Sequence, residues 1–301
     1  MGFLVVDKPV GWTSHDVVDA ARRWLGIRKV GHLGTLDPLA TGVLPLAIRE
    51  ATKLIPFIEP GRKIYVGTIR LGISTDTFDA EGRVLQRFDG PFPDEAAVRQ
   101  ALAAFVGEIL QLPPMFSSVK KAGVPLYRLA RQGQEVERDP RPITIHRITM
   151  HHYAPPEIGI EVECSPGTYV RTLASDLGER LGCGAHLSGL RRTRSGPFAL
   201  DRARTPEVLE QRGEEHALEA ELIVPEDALG LPRVRLTAVQ AARMAHGGDL
   251  PVAEASGEFE QEAAPPRPGA HLAAIAPTGN LLAVVELRPD RRLHPLRVLA
   301  G

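Results

Sequence analysis

A single aspartate, Asp37, lies in a short stretch of unusual composition near the start of the chain. Residues 31–48 read GHLGTLDPLATGVLPLAI, with glycines and prolines set among apolar residues. Pro38 biases Asp37 away from helical backbone, and the glycines allow turns that other residues resist. An ordinary Asp carboxyl, with a pKa of about 3.9, is ionised at neutral pH and can act as a nucleophile. The stretch therefore predicts a rigid loop that presents one carboxylate, although an Asp-Pro pair also commonly makes a simple turn.

Two other chemistries that use constrained loops do not fit this one. A Walker loop for nucleotide phosphates needs a Lys after its last glycine, and no Lys follows Gly34 in that register. An aspartyl nucleophile of the phosphatase type usually has a second Asp two residues on, where this chain has Leu39. The two cysteines, Cys164 and Cys183, lack the spacing of metal ligands, so we expect neither a zinc site nor a disulfide framework.

Hydrophobic patterning predicts both strands and helices around this loop. Strands are predicted at residues 3–9, 63–72, 143–153, 158–164 and 185–198, with a turn and strand at 77–85. Helices are predicted after a cap at Thr13 or Ser14, after Pro93 and Asp94, and at residues 169–181. The segment 111–143 is basic and rich in proline and glycine, and we expect at most one short helix in it, around residues 126–132.

The last part of the chain has a different pattern. Residues 205–228 are acidic and predict a helix and linker, so we place a domain boundary near residue 228. Beyond it come a strand, a helix closed by two glycines, and a hairpin around residues 278–280. Between these elements, residues 254–269 are acidic and proline-rich and predict a mobile loop.

Composition and charge narrow the class of protein. Of the 301 residues, 43% are hydrophobic and 24% charged, and we find neither a secretory signal nor a membrane-length apolar run, so we expect a cytoplasmic protein. The net charge is −1, but residues 118–147 and 168–204 each carry seven Lys or Arg against three acids, whereas residues 205–228 carry eight acids against one Arg. Such basic segments indicate either a polyanionic partner or a solvated surface of mixed charge.

The stretch around Asp37 resembles the catalytic motif of the TruB family of tRNA pseudouridine synthases, in which the aspartate of G-x-L-D-P-x-A-T-G-x-L is the nucleophile. Other family motifs are matched in order by DKPVGWTS, KIYVGTIRLG, TDTFDAEG, PPMFSSVK, GVPLYRLARQG, CSPGTYVR and DLGERLGCGAHLSGLRR. The matches run from residue 3 to about residue 195. The resemblance implies an α/β (α+β) fold, with a mixed, mainly antiparallel sheet flanked by helices and loops, followed by a small C-terminal β-barrel similar to a PUA domain.

The resemblance also implies an activity, the isomerisation of uridine 55 in the T loop of tRNA to pseudouridine. This reaction gains no atoms or electrons, so we expect no cofactor and no metal. Asp37 would attack the target nucleoside, at either the base or the ribose. Arg171 would pair with Asp37, and Tyr65 would stack on the flipped uracil near the proton that leaves C5. From residue type alone, Arg171 and Tyr65 could instead be a surface helix arginine and a half-buried strand tyrosine.

Four further residues match positions that contact RNA in the family. Tyr169 and Leu190 would touch the target base, and His32 would fill the space that the base leaves on flipping. Asp79 would lie near the target loop. Each also has a plain structural alternative, which for Leu190 is core packing, for His32 a hydrogen bond to backbone, and for Asp79 the capping of a turn.

We predict two domains, a catalytic domain at residues 1–228 and a PUA-like RNA-binding domain at residues 229–301. The segment 111–143 would be an insertion that grips RNA, with phosphate contacts from Lys120, Arg128 and Arg131. The acidic residues 254–262 would point away from the RNA. We expect tRNA as the partner, a monomer, and no obligate protein partner.

Two other functions remain open at this level. A relative within the same family works with a guide RNA, and the lack of long basic tails here favours the form that acts alone. A chain of this fold could also be a non-catalytic module that binds tRNA or helps it to fold, and such a module would keep its RNA affinity without Asp37.

Overall fold

The computed structural model describes residues 1–59, 61–252 and 266–299. The predicted acidic face at residues 254–262, and most of the predicted mobile loop, lie outside the described residues. Among the residues that are described, no helix is long and apolar enough to cross a membrane.

Thirteen strands precede residue 200 in the described chain. They are β1 (Gly2–Lys8), β2 (Val30–His32), β3 (Ala40–Ile48), β4 (Lys63–Leu71), β5 (Ile73–Thr75), β6 (Val84–Arg87), β7 (Gly107–Gln111), β8 (Lys120–Lys121), β9 (Val124–Pro125), β10 (Arg141–Ala154), β11 (Glu157–Cys164), β12 (Ala185–Ser195) and β13 (Phe198–Ala199). Nine of them form one sheet in the order β1-β3-β12-β4-β11-β10-β7, with β2 beside β3 and β13 beside β12. Only the β3–β12 pair is parallel, which confirms the predicted mixed, mainly antiparallel sheet.

Helices and short strand pairs surround this sheet. The α-helices are α1 (Ser14–Leu25), α2 (Glu95–Ala103), α3 (Leu126–Arg131), α4 (Val170–Arg180), α5 (Pro206–Glu214) and α6 (Pro225–Leu229), and 3₁₀ turns lie at Arg49–Phe57, Leu200–Arg202 and Leu218–Glu221. The segment between β7 and β10 contains the single short helix that the sequence predicts, α3, and a small hairpin of β8 and β9 that it does not. Because β7 and β10 are antiparallel neighbours at the sheet edge, this segment leaves and re-enters the sheet at one point.

The C-terminal part is a second, smaller sheet. It comprises β14 (Arg233–Arg235), β15 (Leu250–Pro251), β16 (His271–Ile275), β17 (Leu281–Leu287) and β18 (Arg292–Val298), in the order β14-β16-β17-β18-β15, with helix α7 (Ala238–Ala245). The sheet curls as a half-barrel, in agreement with the predicted small β unit. The boundary near residue 228 stays a prediction, and it falls within α6, between the two sheets.

Local sequence explains how α1 begins and ends. Thr13 is the N-cap, and it forms a reciprocal capping box with Asp16, in which each side chain accepts from the other residue's backbone N–H. Gly26 ends the helix in the left-handed conformation that glycine favours. The helix therefore has a fixed start, and its first residue, Ser14, faces the loop that contains Asp37.

The two faces of the large sheet have different partners. One face packs its apolar residues, such as Leu4 and Ile69, in a cluster with buried residues of α1, α2 and α4. The other face, with Phe3 and Val43, shares a cluster with Ala273 and Val284 of the second sheet. Burial of apolar surface stabilises a fold by roughly 25 cal/mol per Å². The second sheet is therefore part of the core that stabilises the first.

Gly42, in β3, gives a stability test. Its φ is 97°, and a Cβ there would lie 2.2 Å from the Arg192 carbonyl oxygen. We expect Gly42→Ala to lower the free energy of unfolding by about 2–4 kcal/mol, because left-handed backbone costs roughly 1–2 kcal/mol and overpacking adds to it. Gly26→Ala is the matched control, because Gly26 also has positive φ but nothing within 4 Å. Equal losses for the two variants in urea unfolding would contradict the steric explanation.

Candidate active site

The loop that carries Asp37 joins β2 to β3 and is held to α1. The Ser14 hydroxyl accepts a hydrogen bond from the Leu36 N–H at 2.9 Å and donates to the Leu36 carbonyl at 3.2 Å. The Ala40 N–H donates to the Asp37 carbonyl at 3.0 Å, which closes a turn at Asp37-Pro38. The backbone on both sides of Asp37 is thus fixed, as the sequence predicts for a rigid loop.

Two fully buried cations support the loop from behind. The Lys8 ammonium donates to the carbonyls of Trp12 at 2.5 Å and Pro38 at 3.3 Å. The Arg192 guanidinium donates from Nε to Val43 at 2.8 Å and from Nη1 to Thr35 at 3.2 Å. A buried charge is tolerated when backbone dipoles compensate it. Because these carbonyls flank Asp37 on both sides, the two cations also fix the position of the loop.

Arg171 approaches the carboxylate of Asp37, as the sequence predicts. Its Nη2 donates to Oδ1 at 3.3 Å, and its Nε lies 3.1 Å from Oδ2 in an ion-pair contact that is not a hydrogen bond. The Arg171 side chain is 5% exposed, whereas that of Asp37 is 38% exposed. The arginine is therefore part of the protein interior, and the carboxylate remains open on one side.

Other groups hold the Arg171 guanidinium in place. Nη2 donates to the Phe116 carbonyl at 2.5 Å, and Nη1 donates to the Thr77 carbonyl at 3.4 Å. The Asp79 carboxylate lies 3.9 Å from Nη1. Phe116 belongs to the basic segment and Thr77 to the loop after β5, so Arg171 connects three separate loops.

Burial raises the pKa of Asp37 above its ordinary value, and the Arg171 guanidinium opposes that rise more strongly than any other group. The buried Asp79 carboxylate raises it further, while Lys8 and Arg192 lower it. Loss of hydration destabilises the ionised form, and a nearby cation restores it. Arg171 is thus the main group that favours an ionised, nucleophilic carboxylate here.

Asp79 is buried and makes the contacts of a turn cap. Its carboxylate accepts hydrogen bonds from the Thr77 hydroxyl at 2.6 Å and from the Glu81 N–H at 3.1 Å. A substrate contact from Asp79 stays a prediction. Its closeness to Arg171 shows that the turn also contributes negative charge to the site.

Two tyrosines lie near Asp37 on different elements. Tyr65, in β4, is buried opposite Arg192 of β12, and Tyr169 precedes the first turn of α4 with its ring centroid 5.7 Å from the Arg171 guanidinium carbon. Burial is the main cause that raises the pKa of both phenols, and the Asp37 carboxylate raises it further. Both side chains are therefore neutral at physiological pH and present aromatic surface beside the carboxylate.

Tyr169 is fixed through its backbone. The Gln111 side chain accepts from the Tyr169 N–H at 2.8 Å and donates to the Tyr169 carbonyl at 3.0 Å. These two hydrogen bonds join the end of β7 to the start of α4. It sets the position of Arg171, two residues further on.

Leu190 and His32 are the remaining residues for which a contact with RNA is predicted. Leu190 is half-buried in β12, and a Cβ on Gly67 of β4 would lie 3.1 Å from its Cδ1, so the glycine leaves room for it. His32 ends β2 with Nδ1 buried and without a hydrogen-bond partner among the described residues, and burial lowers its pKa. A hydrogen bond with the backbone of Gly34 opposes that shift.

The predicted phosphate contacts are exposed on the segment between β7 and β10. Lys120 lies in β8, and Arg128 and Arg131 lie on α3, where the Arg131 guanidinium carbon is 5.7 Å from the Tyr127 ring centroid. Leu126 is buried and anchors this helix. The segment thus presents cations to solvent while Phe116 connects it to Arg171.

The structure brings Asp37, Arg171, Asp79, Tyr65 and Tyr169 into one neighbourhood. The sequence reading did not single out Lys8 and Arg192. The motif matches contain both of them, but a surface cation and a fully buried one look alike in a sequence. Only the packing distinguishes them.

Two protein-family models match this chain. The family model described as the N-terminal domain of TruB family pseudouridylate synthases matches residues 22–170, and the one described as the C-terminal domain of tRNA pseudouridylate synthase B matches residues 171–229. The chain belongs to the TruB family. Of the TruB members it is similar to, a protein of Geobacter sulfurreducens named tRNA pseudouridine synthase B is 50% identical over 82% of this chain and 81% of its own length. A protein of Aromatoleum aromaticum with the same name is 46% identical over 99% of this chain and 92% of its own length.

Solved structures similar to this TruB family member cover almost the whole chain. A crystal structure of a Cbf5–Nop10–Gar1 complex matches 99% of this chain and 84% of that one, at 28% identity and a TM-score of 0.72. A structure of an H/ACA RNP bound to a substrate RNA containing 2′-deoxyuridine matches 100% of this chain and 85% of that one, at 26% identity and a TM-score of 0.71. These likenesses agree with the expected pseudouridine synthase fold.

The role of Arg171 in the titration of Asp37 can be measured directly. We expect Arg171→Gln to raise the pKa of Asp37 by about 1–3 pH units, because it removes the main cation that opposes burial. The measurement is ¹³C NMR of carboxyl-labelled aspartate, with the Asp37 signal assigned by its loss in Asp37→Asn. Arg191→Gln is the matched control, because Arg191 pairs with Asp7 instead. An unchanged Asp37 titration in Arg171→Gln would contradict this role.

Proposed function

We propose that this protein isomerises uridine 55 in the T loop of tRNA to pseudouridine, with Asp37 as the nucleophile and without a guide RNA. The observation that carries the proposal is the Asp37–Arg171 ion pair, which presents a partly exposed carboxylate on a loop fixed by buried cations. The TruB relatives, which are named for pseudouridine synthesis in tRNA, support the reaction and its substrate class.

The chemistry needs only groups that the chain itself has. The N1–C1′ bond of the target uridine breaks, the uracil turns, and a C5–C1′ bond forms. The proton leaves C5 and N1 gains one, so atoms and electrons balance without a cofactor. Asp37 forms a transient covalent bond to the base or to the ribose. As the family resemblance implies, Tyr65 is proposed to lie near the proton that leaves C5.

A uridine within a folded loop must be flipped out before Asp37 can reach it. Flipping costs a few kcal/mol, and stacking of a base on an aromatic side chain returns roughly 1–3 kcal/mol. Tyr65 is the proposed stacking platform, with Tyr169 and Leu190 as the other base contacts. His32 is proposed to fill the space that the base leaves, because it ends β2 at the start of the loop that carries Asp37.

The proposed RNA contacts divide between two domains, residues 1–228 and 229–301. Lys120, Arg128 and Arg131 grip the phosphates of the T arm from the first domain, and the C-terminal half-barrel is the PUA-like RNA-binding part. Action without a guide is supported by the 46–50% identity to proteins named for tRNA, against 26–28% to the Cbf5 complex and the H/ACA particle. We also propose that the protein is a cytoplasmic monomer without an obligate protein partner.

The deciding experiment uses unmodified tRNA transcripts labelled with tritium at C5 of uracil. We expect the intact chain to release tritium from uridine 55, and Asp37→Asn to lower the rate by a factor of at least about 10⁴, because no other carboxylate replaces the nucleophile. Asp19→Asn, on the outer face of α1, is the matched control and should react normally.

Three results would contradict this function. Tritium release by Asp37→Asn at the normal rate would show that Asp37 is not the nucleophile. Binding of tRNA without release by the intact chain would instead favour the non-catalytic RNA-binding module. Full activity on a transcript in which only uridine 55 is replaced by cytidine would show that another position is the target.

The salt dependence of binding tests the proposed phosphate contacts. Each phosphate contact contributes roughly 0.7–0.9 to the slope of log K against log salt. We expect Arg128→Gln with Arg131→Gln to reduce that slope by about 1.4–1.8, measured by fluorescence anisotropy with a labelled T-arm RNA. Arg99→Gln is the matched control, because Arg99 is exposed but paired with Glu95. If the double variant keeps the slope of the unchanged protein, these two residues do not contact the RNA.

A further inference from the structure

Lys63 is a half-buried cation that the proposed mechanism does not use. It opens strand β4 two residues before Tyr65, so the two side chains lie on the same face of the sheet. Its Nζ is beside Gly34, three residues before Asp37, because a Cβ on Gly34 would lie 3.5 Å from it. The ammonium is therefore at the edge of the site that holds Asp37 and Tyr65.

The surroundings of Lys63 do not neutralise it. Burial and, to a smaller extent, the buried Arg192 lower the pKa of Lys63 to about 8. No carboxylate lies within ion-pair distance of it among the described residues. Lys29 and Lys53, by contrast, both pair with Glu50, and Lys8 donates to three carbonyls. Lys63 is thus a partly dehydrated cation without a compensating anion.

We propose that Lys63 binds a phosphodiester of the RNA next to the flipped uridine. An uncompensated cation at the edge of a binding site favours an anionic ligand, because the ligand replaces the hydration that burial removed. Uracil is neutral, so the phosphates that flank the target nucleotide are the anions that reach this edge. This inference rests on the proposed function, since that function brings the nucleotide beside Tyr65.

The position of Lys63 distinguishes its role from that of the exposed arginines on α3. Arg128 and Arg131 are on a surface segment and would contact the RNA whether or not a base is flipped. Lys63 is beside the Asp37 loop, so its phosphate contact forms only when the target nucleotide has entered the site. It is a substrate-binding residue that would favour the flipped state over the stacked one.

The test is a phosphate-neutralisation scan of the T loop. A series of T-arm RNAs each carries one uncharged methylphosphonate, and binding is measured by anisotropy to full-length chains that carry Asp37→Asn, so that the RNA stays unreacted. With Lys63 present, we expect one linkage beside uridine 55 to weaken binding about tenfold when neutralised, as for a charge-assisted hydrogen bond. With Lys63→Gln, binding to the natural RNA should fall about tenfold, and that linkage should lose its effect.

Two variants control for indirect effects. Lys63→Arg keeps the charge and should retain the sensitivity of that linkage, which shows that the loop around Gly34 is intact. Lys29→Gln removes a paired surface cation and should leave the scan unchanged. If neutralising each linkage changes the binding of the protein with Lys63 and of the Lys63→Gln variant by the same factor, the inference is wrong. Tritium release by the chain with natural Asp37 is measured separately, so a failure of the proposed activity is not confused with a failure of this contact.

Discussion

The buried guanidinium of Arg171 is the constraint on which the rest of the site depends. A buried arginine is costly unless its charge and its N–H groups are compensated. Here the compensation comes from the loop before β3, the turn after β5 and the segment between β7 and β10. Arg171 therefore links the positions of these three loops to one another. The ion pair with Asp37 is one part of this network.

The cations behind the Asp37 loop are also buried, and backbone carbonyls compensate their charge. Lys8 and Arg192 are fully buried and bind carbonyls on both sides of Asp37, so they fix its backbone while adding positive charge nearby. Burial alone would favour a protonated, unreactive carboxyl. The surrounding cations reduce that effect, so the carboxylate can be dehydrated on one side and still ionise. This combination suits the nucleophilic role proposed for Asp37.

The sequence predicts much of this arrangement, and particular residues show where it stops. The caps of α1, the strands with alternating polar and apolar residues, and the short helix α3 are all predicted. Each of them is determined by residues that are close together in the sequence. The hairpin of β8 and β9 has only two residues in each strand, which is too short for a periodic pattern. The order of the strands depends on contacts such as that between Gly42 and Arg192, which are 150 residues apart. The motif around Asp37 predicts the reactive residue, whereas the buried supports, Lys8 and Arg192, emerge only from packing.

The apolar cluster shared by the two sheets has a consequence for how the chain is made. Phe3 and Val43 leave the ribosome long before Leu281, Val284 and Leu299, which belong to the same cluster. This face of the large sheet therefore cannot be fully covered until the chain has been synthesised as far as Leu299. Until then it is an exposed apolar surface, of the kind that chaperones bind and that promotes aggregation. Completion of the C-terminal sheet is thus the step that releases the new protein from that risk.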